Sequence, residues 1–231
     1  LINAGINSGV TTTTLNLTNV GFGGYTMFRC VMNTGCIPAT TSNPATLTIQ
    51  VQPVISGNPG NKTICAGQNI SFAVGASGSS LAYQWQESMN GGVSWANISN
   101  GGVYSGATSA QLTLTNVPVT MNAYRYRCVV SGSCPTTKTS SSALLTVNTP
   151  VSINTNTPTS LTLCSNSNFS LSVGATGTGI SYRWYRNING NWTALNNVGI
   201  YSGVNTPTLT ITGIPAPSSS TMYIYSCFVT G

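Results

Sequence analysis

Gln68-Asn69-Ile70-Ser71-Phe72-Ala73-Val74-Gly75-Ala76, followed shortly by Tyr83-Gln84-Trp85, returns later as Asn168-Phe169-Ser170-Leu171-Ser172-Val173-Gly174-Ala175 and Tyr182-Arg183-Trp184. Within the first copy Ile70, Phe72 and Val74 alternate with Asn69, Ser71 and Ala73. Period-two alternation marks a strand with one face in a core and the other in water. Trp85 and Trp184 stand 99 positions apart, so the same strand pair is built twice in successive units.

Working outward, the repeat extends through the whole chain. Gly102-Val103-Tyr104-Ser105-Gly106, with Leu112-Thr113-Leu114-Thr115 behind it, recurs as Gly199-Ile200-Tyr201-Ser202-Gly203 with Leu209-Thr210-Ile211-Thr212. A weaker copy stands at Gly5-Ile6-Asn7-Ser8-Gly9 and Leu15-Asn16-Leu17-Thr18. Tyr126-Arg127-Cys128 matches Phe28-Arg29-Cys30 and Tyr225-Ser226-Cys227. A fixed period of about 98 residues is the signature of tandem units. The expected division is therefore residues 1–50 as the C-terminal part of a first repeat, 51–148 as a complete second repeat, and 149–231 as a third repeat without its last strand.

Each repeat breaks into short alternating runs separated by Gly and Asn turns such as Asn90-Gly91-Gly92, with no helical periodicity of useful length. The expectation is all-β. About seven short strands per repeat point to an immunoglobulin-like β-sandwich. Trp85 lies eleven residues after Val74, the place of the core tryptophan of such a sandwich. Tyr126, two residues before Cys128, has the place of its tyrosine corner. Ile55, Pro59 and Gly67 fit a first strand split in two. Trp85, Trp184, Tyr126 and Tyr225 are the expected core residues.

The motif series Cys-Ala-Gly (65–67), Tyr-Gln-Trp, Tyr-Ser-Gly, Leu-Thr-Leu-Thr, Tyr-Arg-Cys-Val-Val-Ser-Gly-Ser-Cys and Ser-Ser-Ala-Leu-Leu-Thr-Val resembles the immunoglobulin-like repeats of very large Bacteroidetes surface proteins. The resemblance covers the entire chain. It implies export by the type IX secretion system and a place among adhesins such as the gliding-motility proteins of the SprB kind. Fold alone does not imply function.

Seven cysteines follow the repeat: Cys30 and Cys36 in the first copy, Cys65, Cys128 and Cys134 in the second, Cys164 and Cys227 in the third. Such regular use in a chain without histidine suggests disulfides and an oxidising compartment. Cys128 is placed to face Val74, where an immunoglobulin domain would put the partner cysteine, so Cys30, Cys128 and Cys227 are expected buried and unpaired. Cys36, Cys65, Cys134 and Cys164 remain as bridge candidates. In resembling proteins that lack the cysteine at the Cys128 position, the Cys65- and Cys134-type residues form the usual pair, so a bridge within one repeat stays open. Strand arithmetic resists that bridge within one repeat, because the two lie toward opposite ends at about 3.3 Å per residue, while a disulfide needs Cα atoms within about 7 Å. A bridge from the Cys65 end of one repeat to the Cys134-type loop of the next is the alternative.

Only 3% of residues are charged, against about 25% in ordinary soluble domains, so Thr, Ser, Asn and Gly must form the surface. Seven basic residues against the single acid Glu87 give a net charge of +6. The basic residues are spread along the chain, which speaks against nucleic acid. No apolar run is long enough for a membrane-spanning helix. Without His or Asp, and with Glu87 as the one side-chain carboxylate, acid-base catalysis and nucleophile activation lack their usual groups. Calcium and zinc sites lack ligands for the same reason. No enzyme activity, cofactor or metal is expected.

Trp95 and Trp192, each in the strand after the Trp85- or Trp184-bearing one, either pack under the sandwich edge or stand exposed as platforms for sugar rings. Tyr104 and Tyr201 read as turn residues. Asn-x-Ser/Thr sequons occur at Asn16, Asn61, Asn69, Asn97, Asn168 and Asn191 and matter only in a glycosylating host. The expected role is an extracellular, cell-surface stalk whose first partners are neighbouring repeats of the same chain. Other surface proteins, glycans, or identical chains in a filament are the further candidates.

Overall fold

The computed structural model describes every residue except 2–4, 6, 22–26, 34, 36–37, 159, 189 and 216–221. Among the described residues the chain is strand throughout, with one 3-10 turn at Val119–Met121.

The second repeat forms two facing sheets. One runs Ala96–Asn97, Ala82–Ser88, Arg125–Ser131, Ala143–Asn148, Lys62–Cys65, with Lys138–Thr139 also paired to the third of these. The other runs Tyr104–Ser105, Gln111–Leu114, Ile70–Ala73. The expected split first strand is present. Val54–Gly57 pairs antiparallel with Gly75–Ser77, whereas Lys62–Cys65 crosses over and pairs parallel with Ala143–Asn148. The crossing is pinned by side chains: Ser141 N–H donates to Asn58 Oδ1 and Leu144 N–H to Asn61 Oδ1, each at 2.8 Å. Buried Pro59 lies between those asparagines and forbids a continuous ladder there.

The core follows from the alternation. Phe72, Trp85, Leu112, Leu114, Tyr126, Cys128, Val130 and Leu145 are all essentially solvent-free. Trp85 stands opposite Cys128 on adjacent strands, and its indole N–H donates to the Ser109 carbonyl at 2.9 Å. A buried indole needs such a partner. The third repeat reproduces this, with Trp184 opposite Cys227 and donating to Thr206 O at 2.9 Å, over a smaller core of Leu171, Val173, Leu195, Val204, Leu209 and Ile211. The two clusters are separate, so each repeat closes its own core. In the first fifty residues the described strands are two-residue pairs with mostly exposed side chains.

Tyr104 and Tyr201, expected as turn residues, instead lie in the short strands Tyr104–Ser105 and Tyr201–Ser202 and pack against the cores, because each pairs with the strand that follows it; only the glycine of Tyr-Ser-Gly begins the turn. Gly106 has φ +76° and Gly203 +75°, and a Cβ at either would overlap the backbone carbonyl of Gln111 or Thr208. Only glycine enters that left-handed conformation without a clash. The hydroxyl two residues past the next one closes the turn: Ser109 Oγ donates to Gly106 O at 3.0 Å, and Thr206 Oγ1 to Gly203 O at 2.9 Å.

Candidate functional surfaces

Four places concentrate chemistry: a tyrosine cluster in each core, the outer face of the tryptophan-bearing sheet, the cysteines, and the junctions between repeats.

In the second repeat the Tyr104 hydroxyl donates to the Glu87 carboxylate and lies 3.2 Å from the Tyr126 hydroxyl. Because Tyr104 gives its proton to the carboxylate, Tyr126 must donate to the Tyr104 oxygen. In the third repeat a cation takes the acid's place. Arg186 Nη1 donates to the Tyr201 hydroxyl oxygen at 2.9 Å, and Tyr201 and Tyr225 hydroxyls lie 3.3 Å apart. Burial pushes the Tyr104, Tyr126 and Tyr225 hydroxyls well above the ordinary tyrosine range, and the bond to Glu87 adds to this at Tyr104. The only side-chain carboxylate is thus a structural acceptor inside a sandwich. Sequence reasoning missed this role, although Glu87 and Arg186, each two residues past the core tryptophan, share its inward face by simple alternation.

On the outward face of the same sheet the two repeats differ. In the second, the Arg127 guanidinium lies 4.1 Å over the Trp95 ring while its Nε donates to Gln86 Oε1 at 2.8 Å. Trp95 Nε1 donates to Gly92 O at 3.1 Å, leaving the ring half-buried. In the third, the register puts Tyr185 where Gln86 stands, Ser226 for Arg127 and Phe228 for Val129. Among the described residues no cation lies over Trp192, which is 52% exposed beside Phe228 at 62%. Tyr185, Trp192, Ser226 and Phe228 line a shallow open hollow. Of the two readings of these tryptophans, Trp95 packs against its own repeat and Trp192 stands in solvent.

Cys30, Cys65, Cys128, Cys134, Cys164 and Cys227 carry free thiols; Cys36 lies outside the described residues. Cys128 is buried, and burial pushes its thiol up to about 11. Cys227 is half-buried and its thiol is raised for the same reason. Three expectations need correction. Cys227, expected buried, is only half-buried, because Ile224–Thr230 is paired along one edge. Cys30 is exposed, because no described strand equivalent to Ala82–Ser88 lies beside Met27–Phe28. Tyr225 is half-buried where Tyr126 is solvent-free, because Arg125–Ser131 has strands on both edges and Ile224–Thr230 is paired on one. Cys65 stands opposite Asn148, while Cys134 lies beyond the far end of Arg125–Ser131, whose opposite end meets Leu144. At about 3.3 Å per residue these cysteines are roughly 30 Å apart, out of reach of a bridge within one repeat. No group of three or more metal-binding side chains gathers among the described residues.

Both junctions are tied in the same way. Val51 N–H donates to Ser79 Oγ at 2.9 Å and Ser79 N–H donates back to Val51 O at 3.0 Å. At the next junction Thr149 N–H donates to Thr178 Oγ1 at 2.8 Å and Thr178 N–H to Thr149 O at 3.0 Å. The backbones approach closely because glycine precedes each clamp residue: a Cβ on Gly78 would come 3.1 Å from Pro53 Cα, and one on Gly177 3.0 Å from Val151 Cα.

With this geometry in hand, a family profile described as a domain of unknown function (DUF8696) matches residues 55–149. No protein of curated function matches the sequence significantly. Solved structures do match the fold. The three-domain fragment I67–I69 of titin, an E-to-A variant, superposes with a TM-score of 0.70 at 15% identity, over 100% of this chain and 79% of that one. Immunoglobulin domains 1–5 of Sidekick-1 give 0.59 at 17% identity, over 100% and 49%. Extracellular domains 3–5 of Drosophila OTK give 0.55 at 14%, over 89% and 66%. The chain is a tandem array of immunoglobulin-like β-sandwiches. Against Sidekick-1 domains 1–5 it spans about half the length.

Proposed function

We propose that residues 1–50, 51–148 and 149–231 belong to three successive repeats of a non-catalytic extracellular stalk. In this reading the stalk sits on a bacterial cell surface, leaves the cell by the type IX route, and holds a binding region away from the envelope. The observation that carries the reading is the reciprocal hydrogen-bond clamp repeated at Val51–Ser79 and Thr149–Thr178. Each clamp fixes the first residue of a repeat to that repeat's own Ser79 or Thr178, immediately after the last residue of the preceding repeat, which leaves no free linker between the two. Proline at 53 and 150 further restricts the backbone there. With only 3% of residues charged, the surface leaves little for ionic strength to screen.

Two measurements test it. Antibody raised against residues 51–148 should label intact cells of the source organism, and labelling only after lysis sinks the surface assignment. Small-angle scattering of the chain should show an extended particle that becomes more compact and heterogeneous with Ser79→Ala and Thr178→Ala together; an unchanged profile rejects the clamp as the stiffening element.

A second reading has its own observation, the half-exposed Trp192 beside Tyr185 and Phe228. An exposed indole on a flat, weakly charged sheet suits stacking against a neutral sugar ring. Titration with neutral polysaccharides should shift Trp192 fluorescence in the intact chain but not in Trp192→Ala, and no shift with any of them removes this reading.

A further inference from the structure

We propose that consecutive complete repeats of this chain are joined by a disulfide between the Cys65-type cysteine of one repeat and the Cys134-type loop cysteine of the next. The proposal rests on the tandem geometry and is independent of where the protein resides.

The two junctions superpose residue on residue. Val51 and Thr149 make the same pair of hydrogen bonds, to Ser79 and Thr178, so the residues just before them, Gln50 and Asn148, are equivalent. Gly132 and Gly231 are equivalent too: a Cβ on the first would meet Ser79 O at 2.8 Å and on the second Thr178 O at 2.6 Å. Cys134 follows Gly132 by two positions, and its Sγ lies 3.5 Å from the Gln50 carbonyl oxygen. The loop cysteine therefore sits on the last residue of the preceding repeat.

The other half of the pair is on that same residue. Asn148, the counterpart of Gln50, is directly opposite Cys65 in the parallel ladder, and its carbonyl accepts from Ala66 N–H at 2.8 Å. Paired strands lie about 4.8 Å apart. One cysteine thus flanks this residue from within its own repeat, and the other reaches it from the following loop. Two side chains that converge on one residue from adjacent repeats are placed to meet, and a disulfide asks that their Cα atoms come within about 7 Å. Cys65 is exposed and Cys134 half-exposed, so both thiols are open to exchange, unlike buried Cys128.

The chemistry is thiol–disulfide exchange. A thiolate from one cysteine attacks a small-molecule disulfide, releasing one thiol and leaving a mixed disulfide. The second cysteine's thiolate attacks that, forming the Sγ–Sγ bond and releasing the second thiol. The two cysteines lose two protons and two electrons, and the oxidant is reduced to two thiols.

Residues 1–231 do not hold both members of any one pair, so the test completes the third repeat by appending a copy of residues 133–148 after Gly231. Oxidised with glutathione disulfide and digested, the extended chain should yield one cross-linked peptide joining Cys65 to the appended copy of Cys134. Cys65→Ser should abolish it and Cys164→Ser should leave it. A tandem of two copies of residues 52–149, each with a closed core, should bridge the first copy's Cys65 to the second copy's Cys134. There, Cys65→Ser in the first copy should abolish the product and the same change in the second copy should not. Cys65 remaining fully alkylatable in both proteins, or bridges confined within single repeats, would overturn the proposal. Neither outcome bears on surface location, which cell labelling decides separately.

Discussion

Arg127→Ser gives the second repeat the residue that the third carries at Ser226, and the structure sets the size of the effect. The guanidinium stacked 4.1 Å over Trp95 contributes about 0.5–1 kcal/mol at a partly exposed site. Its 2.8 Å hydrogen bond to Gln86 adds about 0.5–1.5 kcal/mol. Losing both should destabilise the second repeat by about 1–2.5 kcal/mol, and in a domain of this size each kcal/mol lowers the midpoint by about 4–8 °C. Urea unfolding followed by fluorescence in a Trp192→Phe background reads the stability, and acrylamide quenching reads the new exposure of Trp95. A double-mutant cycle with Trp95→Ala separates stacking from the hydrogen bond. Converse logic applies to Ser226→Arg, which should cover Trp192 and reduce its quenching. Unfolding midpoint and quenching both unmoved by Arg127→Ser would falsify the claim that Arg127 is what closes this face.

Trp85→Ala should cost about 3–5 kcal/mol and unfold the second repeat ahead of the third, giving two calorimetric transitions; simultaneous loss of both cores would contradict their independence. At pH 8, iodoacetamide should modify exposed Cys65 and Cys164 in the native chain and reach Cys128 only after denaturation. Raising that thiol from 9.0 to about 11 lowers its thiolate fraction about a hundredfold, and the thiolate is the reactive form. Tyr104, Tyr126 and Tyr225 hold their protons above the usual tyrosine value in the folded state. The unfolded chain releases those protons from about pH 10 upward and there binds fewer than the native one, so stability is full below pH 10 and falls above it. Urea midpoints measured from pH 8 to 11 should drop over that window, less steeply in Tyr126→Phe; a flat profile counts against buried, protonated tyrosines.

Most of the sandwich was legible in the sequence because its signals are local and periodic. Ile70, Phe72 and Val74 alternate with polar neighbours whatever their partners are, and Trp85, Tyr126 and the left-handed glycine of Tyr-Ser-Gly recur at a fixed period. The lack of His and Asp is likewise a property of composition. Other features escaped because they depend on what lies across a sheet. Trp95 and Trp192 follow the same hairpin, but Trp95 is covered by Arg127 and bonded to Gly92 of its turn, whereas Trp192 has Ser226 in place of Arg127 and is half-exposed. Cys30 and Cys128 share one motif, yet the first is exposed and the second buried, because burial needs strands on both edges. Strand spacing in the sequence already set Cys65 and Cys134 too far apart within a repeat. That Gln50 and Asn148 are the residues on which such cysteines converge came from the hydrogen bonds of the two junctions. Periodicity determines which face of a strand is buried; which surfaces stay covered, and which ends meet, is set by contacts between residues distant in the chain.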